Sequence, residues 1–298
     1  MSEITSIIVG SNVEQLGDGL FKDMTHLVSV DFTPCGDVID ELPPSCFMGC
    51  SSLVETKGLV AITSINDCEF TDCTSMESID LPEDLNFVGT SAFAGCSSLS
   101  WISRLDDSDS NHTFDIVGDY AFAGTNIISA NLSLRSSATQ TFWGDQCFAG
   151  CKNLQRVDFL SSCYMSNGMF KDCINLTSVN FLNNHTSYVC PYVFEGCSSL
   201  QSITLPSKIW YISEGMFKGC TNLQSVYFTT YGSDSLINFV QKKAFDGCKH
   251  LKRIEFPQSL TDLSQLEDGC LSNCMQEPFH YVFSFKVYDR PELVFHGI

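Results

Sequence analysis

At 298 residues, with 44% hydrophobic and only 17% charged side chains, the chain has apolar residues enough for a continuous core and too little charge for disorder. Sixteen Lys+Arg against 35 Asp+Glu give a formal charge of -19. That excludes nucleic acid, whose binding needs basic side chains to release counterions, and disfavours anionic membrane surfaces. A protein partner with a basic surface is compatible with it, as is the plainer reading that the charge keeps a long stack soluble.

From the amino terminus, Met1 to Gly10 lacks a basic n-region and carries only Ile7, Ile8 and Val9 as an apolar centre, so it is not a secretory signal peptide. No stretch reaches the length of a membrane span, and direct membrane insertion is not expected. Residues 1–20 form an N-terminal half-repeat or cap, because Ser6 to Phe21 aligns without gaps to Ser202 to Phe217. Residues 21–270 then hold about ten copies of Phe-x-x-Cys-x-x-Leu-x-x-Ile/Val-x-Leu/Phe. The clearest copies are Phe194, Cys197, Leu200, Ile203, Leu205 and Phe217, Cys220, Leu223, Val226, Phe228. The others start at Phe21, Phe47, Phe70, Phe93, Phe122, Phe148, Phe170 and Phe245, at successive spacings of 26, 23, 23, 29, 26, 22, 24, 23 and 28 residues.

That period lies in the leucine-rich-repeat range. A check independent of the motif agrees. Five residues before each Phe stand Leu16, Leu42, Ile65, Val88, Val117, Trp143, Met165, Val189, Ile212 and Val240, all apolar. The two longest spacings contain insertions, Asp106-Asp107-Ser108-Asp109-Ser110 and Thr229 to Asp234, which should be surface loops, a common place for binding. The first lacks calcium-loop spacing and reads as solvated. Residues 271–298 hold a degenerate copy, Leu271 and Cys274, and then Tyr281, Phe283, Phe285 and Val287 in alternation. The alternation predicts a capping strand over the last open edge.

Val88-Gly89-Thr90-Ser91-Ala92-Phe93-Ala94-Gly95-Cys96-Ser97-Ser98-Leu99 and Val117-Gly118-Asp119-Tyr120-Ala121-Phe122 resemble the BspA-like leucine-rich-repeat family, as do the Leu-Pro endings at Leu81-Pro82 and Leu205-Pro206. The resemblance covers essentially the whole chain. It implies a leucine-rich-repeat solenoid, a single elongated domain of short parallel strands stacked with brief helical or irregular turns. It further implies surface adhesion or protein binding by analogy only. In each unit Ile203 and Leu205 or their equivalents should point inward and Ser202, Thr204 and Pro206 outward. Rungs of roughly 4.8 Å would stack into a rod or arc of about 50 Å. The Phe-x-x-Cys stretch should turn through a short helical piece.

Eight of the 16 cysteines (50, 73, 96, 151, 173, 197, 220 and 248) share one repeat slot, which Met24 and Thr125 fill in the first and fifth copies. These gaps leave runs of three and five, so neighbour-to-neighbour disulfides would orphan one thiol in each. Cys46, Cys147 and Cys270 stand where Ala92, Ala121 and Ala244 stand in other copies. Small buried thiols behave this way. The Cys-x-x-x-Cys pairs 46/50, 147/151 and 270/274 leave zinc open in principle, but no His pair accompanies them. Sixteen unpaired thiols favour a reducing, intracellular compartment, with the cell surface as the alternative.

No phosphate-binding loop, dinucleotide fingerprint or nucleophile elbow occurs, and the six His residues are scattered, so no enzymatic activity, metal or cofactor is expected. Four Asn-x-Ser/Thr triplets, from Asn111, Asn131, Asn175 and Asn184, are of a kind frequent by chance. The candidate partner-binding surface is the outward face of the Leu-x-x-Ile-x-Leu strands. Asp31, Asp80, Asp158 and Glu255 recur in one column with Tyr227, and Trp101, Arg156 and Arg253 project one position earlier. A merely solvated sheet face is the competing reading. The expected function is a non-catalytic protein-interaction scaffold, with a surface adhesin as alternative and a metal-dependent module as the rival from another class.

Overall fold

The computed structural model describes residues 4–106, 114–133, 142–161, 164–182, 188–229, 236–256, 259–260, 263–274 and 280–283. The chain divides into two compact units, Met1–Asn153 and Leu154–Ile298. Both are parallel-strand β-solenoids.

The Leu-x-x-Ile-x-Leu stretches form the first strand row. Their alternation of small polar and branched apolar residues suits a strand with one buried face. In Ser202–Leu205, Ile203 and Leu205 are buried while Ser202 and Thr204 are exposed. In the N-terminal unit Ser6–Ile8, Ser29–Asp31 and Glu55–Lys57 pair in parallel, and Ser78–Ile79 pairs with Trp101–Ile102. In the C-terminal unit Arg156–Phe159 pairs with Ser178–Phe181, and Ser202–Leu205, Ser225–Phe228, Arg253–Phe256 and His280–Phe283 form a four-stranded sheet. The last of these begins the strand expected at the C-terminal end; Phe285 and Val287 lie outside the described residues. One inward/outward expectation fails. Pro206 is buried, because the chain bends inward directly after Leu205 and Ile209 donates its N–H back to the Pro206 carbonyl.

A second row comes from the residues ahead of each motif Phe. Ser64–Ile65, Phe87–Val88, Ile116–Val117 and Phe142–Trp143 form one parallel sheet in the N-terminal unit. In the C-terminal unit Met165 bridges Val189, Tyr211–Ile212 pairs with Phe239–Val240, and Val240 bridges Leu266. The inward residues here are those five places before each Phe. All are buried except Leu16, which is half-buried.

The Phe-x-x-Cys stretches close each coil as turns rather than helical pieces. Left-handed residues flank the Phe on both sides: Ser45 (φ 60°) and Gly49 (φ 75°) around Phe47, Tyr192 (φ 61°) and Gly196 (φ 76°) around Phe194. They stop any helix from propagating, and they turn alternate N–H groups along the stack. Phe47 and Gly49 donate to the carbonyls of Glu69 and Thr71, and Phe194 and Gly196 to those of Met216 and Lys218, at 2.8–2.9 Å. Each unit therefore has three hydrogen-bonded sides. Inside, the phenyl rings stack at 5.1–5.6 Å from Phe21 to Phe148 in one unit and at 5.4–5.7 Å from Phe170 to Phe245 in the other.

The cysteine slot lines the same core. All eight of its thiols are fully buried, and no described cysteine is joined in a disulfide; Cys163 lies outside the described residues. Seven of the eight, Cys50, Cys73, Cys96, Cys151, Cys197, Cys220 and Cys248, reach back to a Phe carbonyl one rung away. Cys73 donates to the carbonyl of Phe47 at 3.2 Å, Cys96 to Phe70 at 2.9 Å, and Cys220 to Phe194 at 3.0 Å. The Phe carbonyl already accepts its own turn's Cys N–H, so the S–H fills its second lone pair. In the fifth copy Thr125 Oγ1 donates to Phe122 O at 2.8 Å within its own turn.

Candidate functional site

The strand register aligns residues of the first row in parallel across neighbouring rungs. In the N-terminal unit Asp31 lies level with Ile8 and Lys57, and Trp101 level with Ser78. Trp101 is 43% exposed and Asp80 is exposed. Asp31 accepts the Thr33 N–H at 2.8 Å, and these bonds to Thr33 hold its carboxyl below the usual carboxylate range. Glu55 and Lys57, which sequence reasoning passed over because their repeat lacks the Ile-x-Leu ending, form a 2.9 Å ion pair on this face.

In the C-terminal unit Arg156 stands level with Ser178, Arg253 with Ser225, and Tyr227, half-buried, with Thr204. Glu255 falls in strand Arg253–Phe256, with its side chain outside the described residues. Asp158 is not an exposed recognition residue. It is 4% exposed, accepting from Arg156 Nη2 and Asn180 Nδ2 at 2.6 Å each. Burial pushes its carboxyl up, but the bonds from Arg156 and Asn180 outweigh that and hold it below the ordinary value. Two neighbours, one on its own strand and one on the next, turn it into part of the face's framework and leave Arg156 as the exposed partner.

The second row carries a feature that the sequence reading missed. The residue just before each inward apolar one projects outward. In the N-terminal unit these are Ser64, Phe87, Ile116 and Phe142, in register. In the C-terminal unit they are Tyr164, Tyr188, Tyr211 and Phe239. Tyr164 and Tyr188 stack at 5.9 Å and are 44% and 60% exposed, and Trp210 beside Tyr211 is 58% exposed. Seven successive copies from Phe87 to Phe239 place an apolar or aromatic residue six positions before the motif Phe, a signal one column away from the one used to verify the repeat. Exposed aromatics in a row are the composition of interface anchors, and a lone exposed apolar residue would mean nothing.

Glu69 is the one buried carboxylate in an apolar slot, occupying the place that Ala92 and Ala121 fill in the next copies. Its Oε2 accepts the Asn66 N–H at 2.6 Å, while Oε1 has no partner among the described residues. Burial pushes its carboxyl well above the ordinary range. Among the described residues no group of three or more His, Cys, Asp or Glu is placed to hold a metal ion, and no helix is long and apolar enough to cross a membrane. The acidic insertion at Asp107 to Ser110 and most of the Thr229 to Asp234 insertion lie outside the described residues.

Among solved structures the fold is similar to a leucine-rich cell surface protein of Faecalibacterium prausnitzii, at 20% identity and a TM-score of 0.52, covering 94% of this chain and 79% of that one. A leucine-rich repeat protein of Bacteroides ovatus matches at 19% identity and a TM-score of 0.39, covering 94% and 92%, and one of Eubacterium ventriosum at 15% and 0.46, covering 91% and 83%. A search of curated protein sequences finds no match. The model of the BspA-type leucine-rich repeat region matches in overlapping segments 1–112, 63–188, 115–238 and 233–281. With that match running over the same copies whose Phe, Cys and Leu columns build both units, the chain belongs to the BspA-type leucine-rich-repeat family.

Proposed function

We propose that this chain is a non-catalytic solenoid that binds other proteins through the outward faces of its strand rows and works as an intracellular or structural scaffold. The observation that carries the binding reading is the aromatic row of the C-terminal unit, where Tyr188, next to the bridged Val189, and Trp210, next to the strand Tyr211–Ile212, stand 60% and 58% exposed. Aromatic side chains fixed by regular backbone lose little conformational entropy on binding. A photo-reactive residue at Tyr188 or Trp210 should cross-link to a discrete protein in native extract, while the same residue at Lys22 should not. Adducts of equal yield at all three positions would refute the reading.

The intracellular assignment rests on the cysteines. Their sulfhydryl hydrogens are donors in the stack, and an oxidising compartment would threaten each of them. The adhesin alternative has one specific support, the similarity to a protein described as a cell surface protein. Labelling of intact cells with an impermeant reagent separates the two readings: labelled chain favours the adhesin, and chain labelled only after lysis favours the scaffold.

A further inference from the structure

The charge of the chain is unevenly distributed. Residues 1–153 hold 22 of the 35 acidic residues and 5 of the 16 basic ones, a net -17, which leaves -2 for residues 154–298. In the N-terminal unit the second sheet sets carboxylates beside an apolar column. Phe87, Ile116 and Phe142 lie in one register, with Phe142 42% exposed and the other two half-buried. Three residues further along their coils stand the exposed Thr90, Asp119 and Asp145, with Asp67 one rung before. The row is fixed to the backbone: Asp67 Oδ1 accepts the Thr90 N–H and Asp119 Oδ1 the Asp145 N–H, each at 2.7 Å.

We propose that this sheet docks a basic amphipathic helix of a protein partner. The inference rests on the protein-binding reading above and names the partner's chemistry for a different face. Spacing selects the helix. Rungs repeat at about 4.8 Å, near the roughly 5–6 Å between side chains at i and i+3 or i+4 on a helix. Two rungs cover about 9.6 Å, close to the roughly 10.5 Å from i to i+7. An extended peptide presents same-face residues about every 6.7 Å and falls out of step. Charge selects the sign: lysines or arginines flanking the apolar stripe meet Asp67, Asp119 and Asp145, while a second copy of this chain or an anionic lipid surface is repelled.

The test measures binding of the full chain to a fluorescent peptide with Leu at i, i+3, i+4 and i+7 and Lys elsewhere, against a scrambled peptide of the same composition. The patterned peptide should bind at least tenfold tighter than the scrambled one, and Phe142→Ser should weaken it tenfold or more. Asp119→Asn with Asp145→Asn should weaken it and flatten its salt dependence. Asn at 119 keeps the oxygen that accepts the Asp145 N–H, so this pair stays informative if Phe142→Ser misfolds. Asn222→Ser, at an exposed turn of the other unit, should change nothing. Equal binding of both peptides, or affinity unmoved by the substitutions, overturns the proposal. If Tyr188 or Trp210 still cross-links to a partner in that event, the general binding reading stands and this docking surface alone falls.

Discussion

The sulfhydryl of Cys50 donates to the backbone carbonyl of Phe21, one rung back, at 2.9 Å. The bond recurs from Cys197 to Phe170 at 3.2 Å and from Cys248 to Phe217 at 3.1 Å. A thiol at this slot fills a methyl-sized space and also satisfies a buried lone pair, which Ala cannot do. Cys220→Ala should therefore lower unfolding stability by about 1–2 kcal/mol, through the lost bond and the small cavity, measured by urea denaturation.

The same burial makes these thiols unreactive. It pushes the ladder thiol Cys50 up to about 11, and Cys46 in the neighbouring slot up to about 12, so neither is a thiolate near neutral pH. With native protein near neutral pH, an aromatic disulfide reagent should titrate the partly exposed Cys68 and Cys190 and spare the ladder until denaturant is added. Immediate titration of the ladder thiols would mean that they are not packed as described.

Phe194→Ala, in the middle of a stacked column, should cost about 3–5 kcal/mol, with the loss shared between two rungs. Tyr188→Ala, five positions before Val193 and outside the core, should cost less than about 1 kcal/mol. Thermal or chemical unfolding of the two variants checks the contrast.

Glu69 makes stability depend on pH in an unusual direction. Its folded carboxyl is raised by burial, so the folded state holds this proton more tightly than the unfolded chain, where Glu ionises near about 4.3. The contribution is complete below that unfolded value and is lost as pH rises through the raised folded one. Glu69→Gln keeps an oxygen for the Asn66 N–H and cannot ionise. Relative to the parent it should gain stability as pH rises from about 5 to about 8, above the unfolded value of about 4.3. Denaturation midpoints of both proteins at the two pH values test this, and a gap that does not widen would contradict it.

Gly118 approaches the previous rung too closely for a side chain. A Cβ there would lie 2.5 Å from the Thr90 nitrogen and 2.7 Å from the Gly89 carbonyl carbon. Gly118→Ala should destabilise by about 1–3 kcal/mol, because backbone and not a flexible side chain must move. The loss is read from the unfolding midpoint.

The columns of Phe, Cys and Leu were legible because each copy meets the same surroundings, so one environment selects Phe in all ten copies and Cys in eight of them. Surroundings that differ between copies were not. Asp31, Asp80 and Asp158 share a column, yet Asp158 alone has Arg156 on its strand and Asn180 on the next to draw it in. The helical expectation for Phe-x-x-Cys failed because Ser45, Tyr120 and Tyr192 adopt a left-handed backbone without being glycine, a choice imposed by hydrogen bonds to the next rung. Phe142 and Tyr188 were not legible because the repeat signal sits in the neighbouring inward column, Trp143 and Val189, whose shared burial constrains residue type while the outward column is free to vary from Ser64 to Phe142.

A scaffold held together by sulfhydryl donors requires those sulfurs to be reduced where the protein works. The most direct measurement is a redox map of the chain from its native source, quenched in acid, denatured and alkylated, with each cysteine located by mass spectrometry. Cys50, Cys73, Cys96, Cys151, Cys173, Cys197, Cys220 and Cys248 should all be recovered as alkylated free thiols. Recovery of any of them in a defined disulfide would contradict the thiol ladder and the intracellular scaffold together, and would leave the surface adhesin as the reading to pursue.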